Sequence, residues 1–84
     1  MPEITVYTTP FCPYCIAAKR MLKKKGAKFT EIDVSDQNKR EAMITRSNGK
    51  YTVPQIFIGS QHIGGFDDLS ELDALEELDP LLAG

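Results

Sequence analysis

Two thiols stand three positions apart in the stretch TPFCPYC, Thr9 to Cys15, and the chain has no other cysteine. Paired thiols at that spacing suit thiol–disulfide exchange, in which a thiolate attacks one sulfur of a disulfide and a second thiol resolves the mixed disulfide that forms. Cys12 falls at the turn between a predicted strand and a predicted helix, and Pro13 takes the first helical position, where its missing N–H costs nothing. The free amides of Tyr14 and Cys15 and the positive end of the helix macrodipole then face the sulfur of Cys12 and favour its anion. This predicts Cys12 as a low-pKa nucleophile and Cys15, one turn deeper and less exposed, as the more ordinary resolving thiol. The plainer alternative is a pair of small buried hydrophobes, a common fate of free cysteines. No metal site is expected, because tetrahedral zinc takes four ligands and the chain offers two cysteines and His62. His62 itself reads as an exposed strand residue near a turn.

The elements that must hold this pair follow from pattern. Ile4 to Thr8 (ITVYT) is β-branched and aromatic, as a buried strand is, and Pro10 ends it. From Pro13 to Lys25, Cys15, Ala18 and Leu22, joined by Ile16 and Met21, recur at helical spacing, with Gly26 placed as a C-cap. Lys28 to Val34 reads as a second strand, parallel to the first across a right-handed crossover. Ser35 or Asp36 caps a polar helix running to about Arg46, with Ala42, Met43 and Ile44 inward. Gln55 to Ile58 and Gln61 to Ile63 form an antiparallel pair around Gly59-Ser60. Leu69, Leu72, Leu75 and Leu78 mark a last helix, capped by Asp67 or Asp68 and stopped by Pro80. The order βαβαββα predicts an α/β fold, a four-stranded mixed sheet flanked by three helices on both faces.

Composition narrows the function classes. The 84 residues suit one domain, 1–84, and 42% apolar with 26% charged residues lies in the globular range rather than the disordered one. A net charge of −2 gives no general drive toward nucleic acid or anionic lipid, so neither partner is expected. Six basic residues between Lys19 and Lys28 and seven acidic ones between Asp67 and Asp79 complement the dipoles of their helices and are expected to face solvent. The start MPEITVYTTP lacks a basic region followed by an apolar one, and no apolar run approaches membrane-spanning length. The expected setting is the cytoplasm, where so short a cysteine loop is better explained by reactivity than by stapling.

Three motifs, CPYC after strand one, TVPQIFI before the hairpin and GGFDDL at the last helix, together resemble the glutaredoxins in their dithiol bacterial form, across nearly the whole chain. The resemblance implies a thioredoxin-like fold and reduction of disulfides, above all protein–glutathione mixed disulfides, with glutathione as reducing co-substrate and no tightly bound cofactor. It makes Cys12 the attacking and Cys15 the resolving thiol, with Tyr14 flanking the bound tripeptide. It places Thr52, Val53 and Pro54 against glutathione, with a cis Val53–Pro54 bond that leaves the backbone of Val53 free to pair with an extended peptide; from the residues alone Pro54 reads equally as a proline that starts a strand. Gly64 and Gly65 would let backbone approach the ligand, the amides of Phe66 and Asp67 would meet a carboxylate, and the Asp67 side chain the γ-glutamyl amino group. Arg40 would meet the glycine carboxylate. Implied partners are glutathione and glutathionylated or disulfide-containing proteins; apart from the resemblance, the size of the chain and the need for an accessible cysteine suit a monomer. One departure is Thr9, where many glutaredoxins have lysine, and it removes positive potential near Cys12.

Overall fold

The computed structural model describes residues 2–84. Strand β1 (Ile4–Thr8) leads into α1 (Pro13–Lys24), β2 (Thr30–Asp33) and α2 (Gln37–Arg46), and then the hairpin of β3 (Gln55–Ile58) and β4 (Gln61–Gly64). Two helices follow, α3 (Phe66–Ala74) and α4 (Leu78–Ala83). The sheet order is β2-β1-β3-β4, with β1 parallel to β2 and antiparallel to β3, and β3 antiparallel to β4. This is the expected mixed four-stranded sheet. Among the described residues no helix is long and apolar enough to cross a membrane.

The central strands are buried along their whole length, and strand alternation sends successive residues to opposite faces. Ile4 and Val6 of β1 with Ile56 and Ile58 of β3 pack against Ala18 and Leu22 of α1, Leu69 of α3 and Leu78 and Leu82 of α4. Tyr7 and Phe57 point the other way and pack with Val34, just after β2, and with Met43 of α2. The two cores clamp the C-terminal end of β1, from which the cysteine segment emerges, between α1 and α3 on one face and α2 on the other. Burying side chains of this size contributes about 1.5–3 kcal/mol each, so the position of the emerging loop is set by the bulk of the fold rather than by the loop.

Several helix ends differ from expectation. Helix α1 closes at Lys24, where Gly26 at φ +73 and the bond from Ala27 N–H to Leu22 O (3.0 Å) form a Schellman turn. Asp36 rather than Ser35 caps α2, accepting from Lys39 N–H at 2.9 Å, and Ala42 faces solvent although Met43 is buried. Strand β2 is shorter than Lys28 to Val34 and lies mostly exposed at the sheet edge. The last helical stretch is two helices. Glu76 adopts φ +60, and Glu77 N–H bonds to Leu72 O at 2.9 Å, so α3 ends in a Schellman turn without a glycine. Leu75 is consequently exposed, whereas Leu78 begins α4 and is buried. Pro80 does not stop the helix but sits in the first turn of α4, where it loses no hydrogen bond.

The charged runs do more than face solvent. Lys25 at the C-terminal end of α1 bridges Asp73 at 2.5 Å and Asp79 at 2.9 Å, tying that end to α3 and α4 at once. Those two carboxylates, Asp73 first, hold the Lys25 ammonium above its ordinary pKa. Lys19 and Thr8 both donate to Glu31 Oε2, which joins α1 and the end of β1 to the edge strand.

Candidate active site

Cys12 is the N-cap of α1, in extended backbone, with Pro13 following and with its carbonyl accepting from Ile16 N–H at 3.0 Å. Its side chain is half-buried, and Sγ lies 4.0 Å from the carbonyl oxygen of Val53. Phe11, immediately before it, is almost fully exposed in the left-handed region at φ +65. Helix α1 carries no acidic residue in its first turn, so the orphan amides at its mouth face Cys12 without a competing carboxylate.

Cys15 is in every respect the inner partner. Only 1% of its surface is exposed. Burial pushes its thiol up to about 11; the backbone of Thr9 opposes this, and the neighbouring Cys12 side chain, within hydrogen-bonding reach, adds to it. The two cysteines therefore differ chemically although only two residues separate them: one sulfur is reachable at a helix mouth, the other is held protonated behind it.

Beside Cys12 a cleft of about 230 Å³ is walled by Tyr14, Lys50, Thr52, Val53, Pro54, Gln55, Gly64, Gly65, Phe66, Asp67 and Asp68. Eight of the residues singled out by sequence as ligand-facing thus share one concavity: Tyr14, Thr52, Val53, Pro54, Gly64, Gly65, Phe66 and Asp67. The Val53–Pro54 bond is cis. Gly65 is the N-cap of α3, not Asp67 or Asp68, and its N–H donates to Asp68 Oδ2 at 2.9 Å. Asp68 thus caps from inside the helix and fills the space above Gly64, at φ +114, where a Cβ would overlap the carboxylate. The glycine is required by that aspartate as much as by any ligand.

Arg40 stands apart from the cleft lining, its Nη1 donating to the Tyr51 carbonyl oxygen at 3.1 Å. Lys50 is the cation on the wall itself. Nothing in its type or spacing separates Lys50 from a solvated loop lysine, so sequence reading passes over it. Gln55 and His62 form a second feature that residue type and spacing do not announce. Gln55 is 3% exposed and its amide is fully engaged, with Nε2 donating to Thr52 O at 3.0 Å and Thr52 Oγ1 at 3.2 Å. Its Oε1 faces His62 Nε2 at 2.7 Å, and the half-buried His62 ring stacks on Phe57 with centroids 4.7 Å apart. His62 is therefore not the exposed strand residue that sequence predicts. Burial holds its imidazole below the ordinary pKa, with Asp68 opposing and Lys50 and Arg46 reinforcing that shift. Among the described residues no cluster of histidine, cysteine and carboxylate groups could hold a metal ion.

The chemistry open to this arrangement is disulfide exchange at an accessible sulfur backed by a second thiol, beside a cleft that offers backbone, cationic and anionic groups to a small peptide. Comparison with known proteins agrees. Residues 4–63 match the Glutaredoxin family model. The chain is 54% identical over 83 residues to Glutaredoxin 3 of Escherichia coli strain K12, covering 98% of this chain and 99% of that one. A solution structure of glutaredoxin from Brucella melitensis superposes with a TM-score of 0.85 at 51% identity, over 98% of this chain and 89% of its own. The crystal structure of a buckwheat glutaredoxin–glutathione complex does so with a TM-score of 0.87 at 29% identity, over 98% of this chain and 77% of its own.

Proposed function

The chain belongs to the glutaredoxin family of thiol–disulfide oxidoreductases, and from that premise we propose that it reduces protein–glutathione mixed disulfides and protein disulfides at the expense of glutathione. The observation that carries the reading is the cleft at the Val53 wall beside Cys12, which gathers groups of the right sign for each end of the tripeptide.

Glutathione is an extended peptide with a carboxylate at each end and an amino group at one. Its cysteine backbone pairs with Val53 as a strand would pair with a sheet edge. The γ-glutamyl carboxylate meets the amides of Phe66 and Asp67 at the mouth of α3, and its amino group the Asp67 carboxylate. The glycine carboxylate turns toward Lys50 and Arg40, and Tyr14 flanks the sulfur. Arg40 keeps part of its guanidinium on Tyr51 and has donors to spare for the ligand.

In the first step the thiolate of Cys12 attacks the glutathionyl sulfur of a mixed disulfide; the substrate sulfur leaves and takes a proton, and Cys12 is left glutathionylated. A second glutathione thiolate attacks the glutathionyl sulfur, releasing glutathione disulfide and the Cys12 thiolate. The net exchange oxidises the one incoming glutathione thiol and reduces one protein sulfur, while the glutathionyl sulfur of the adduct stays at the disulfide level and passes into glutathione disulfide. With a protein disulfide, Cys12 attacks one sulfur and Cys15, after losing its proton, displaces the reduced product and forms the Cys12–Cys15 bond, which two glutathiones reopen. Cys15 is next to Cys12 and held as a thiol, which supports a resolving rather than an initiating role. A monomer in a reducing cytoplasmic setting suits this cycle, because it leaves Cys12 accessible.

Turnover by wild type, Cys12→Ser and Cys15→Ser variants tests the assignment. Cys12→Ser loses both activities, whereas Cys15→Ser retains reduction of a glutathionylated peptide and loses reduction of a protein disulfide. Equal losses in the two variants would overturn it.

A further inference from the structure

The geometry points to His62 as a positioning residue for glutathione, acting through Gln55 on the Thr52–Pro54 wall of the cleft. This rests on the reading of that cleft as the glutathione site.

Gln55 opens β3 directly after Pro54, and its buried amide makes three contacts. Nε2 is committed to Thr52 O and Oγ1, which fixes the amide's orientation: turned over, Gln55 would set its own oxygen against the Thr52 carbonyl. Oε1 is then an acceptor pointed at His62 Nε2, 2.7 Å away, and only a hydrogen on Nε2 satisfies it. The donor is held in place twice. Its ring lies nearly parallel to Phe57 at 22°, and the register between β3 and β4 shifts so that Phe57 pairs with His62 while Ile56 pairs with Gly64. That irregularity leaves Ile63 as the extra residue of the β4 strand. A chain of hydrogen bonds therefore runs from β4 through β3 to a loop that has no other side-chain brace among the described hydrogen bonds to Thr52, Val53 or Pro54, apart from the Cys12 contact itself.

Removing the donor leaves Gln55 Oε1 buried without a partner, and the amide is free to rotate away from Thr52. The cost falls on ligand binding, because Cys12 and Cys15 are carried by α1 and the end of β1, not by this relay. Protonation of the ring adds a proton at Nδ1 and keeps the Nε2–H donor, so the relay is not a pH switch, although Asp68, Lys50 and Arg46 all act on the ring.

The test is steady-state turnover of a glutathionylated peptide by wild type, His62→Phe and His62→Gln. Phenylalanine keeps the stack on Phe57 and deletes the donor, so KM should rise on the order of tenfold with kcat within about twofold. Glutamine restores an N–H at the Nε2 position, and KM should return most of the way. Unchanged KM in His62→Phe, or equal falls in kcat for both variants, would overturn the relay, whereas a wild type that does not turn over the peptide would overturn the functional reading instead. A measurement on the unaltered protein is independent of variant folding: long-range proton–nitrogen correlation at neutral pH should show the Nε2–H tautomer of His62, and the Nδ1–H tautomer would contradict the proposal.

Discussion

At the scale of single residues, the chemistry depends on two cysteines being made unlike. Cys12 sits half-exposed at a helix mouth, and Cys15, three residues on, is turned into the protein with its thiol pushed up to about 11 by burial. A thiol whose pKa is raised by folding contributes stability that is fully present below the pKa of the unfolded thiol and is lost as pH rises through the folded value. The reduced protein should therefore lose stability between about pH 8.5 and 11, and Cys15→Ala should remove that part of the loss while lowering stability at neutral pH. Denaturant midpoints measured across that range check this, and parallel pH profiles for the two proteins would contradict it. The CPYC spacing makes the unequal exposure of this pair legible in the sequence, because one turn of helix carries the second thiol inward. Gln55 and His62 were not legible, since their contact joins two strands across an irregular register and neither residue type announces it.

At the scale of elements, the strands were readable because β-branched runs, Pro10 and the Gly59-Ser60 turn are local signals. The end of the chain was not. Leucines at 69, 72, 75 and 78 mimic one continuous apolar stripe, yet the helix breaks after Ala74 at a left-handed Glu76, a position where sequence reading looks for glycine. The break turns Leu78 and Leu82 onto the α1 face of the sheet and brings Asp79 to Lys25, so tertiary packing overrides the helical spacing. A left-handed conformation costs a non-glycine residue about 1–2 kcal/mol, part of which glycine gives back as unfolded-state entropy. Glu76→Gly should thus stabilise the protein by about 0.5–1 kcal/mol, raising Tm by about 2–8 °C, with activity unchanged. A lower Tm in that variant would show that the turn is not strained.

At the scale of the whole molecule, two cores on opposite faces of one sheet hold the cysteine loop at one end of β1 and the Thr52–Pro54 loop at the neighbouring end of β3. Antiparallel pairing of these central strands puts Thr8 beyond Gln55 in the ladder, and so brings the Cys12 sulfur and the Val53 backbone to the same end of the sheet. Pattern and resemblance make this architecture legible, whereas the two cations divide in a way only the fold reveals, with Lys50 on the cleft wall and Arg40 apart from the lining, bonded to the Tyr51 carbonyl. The central claim is that electrons enter through Cys12 and that Cys15 acts only afterwards. Mass mapping of the Cys15→Ser protein after exposure to glutathione disulfide tests it most directly. One glutathionyl group on Cys12, removed by added glutathione, is the predicted result; a Cys12 that takes up none, while Cys15 in the Cys12→Ser protein is readily modified, would contradict it.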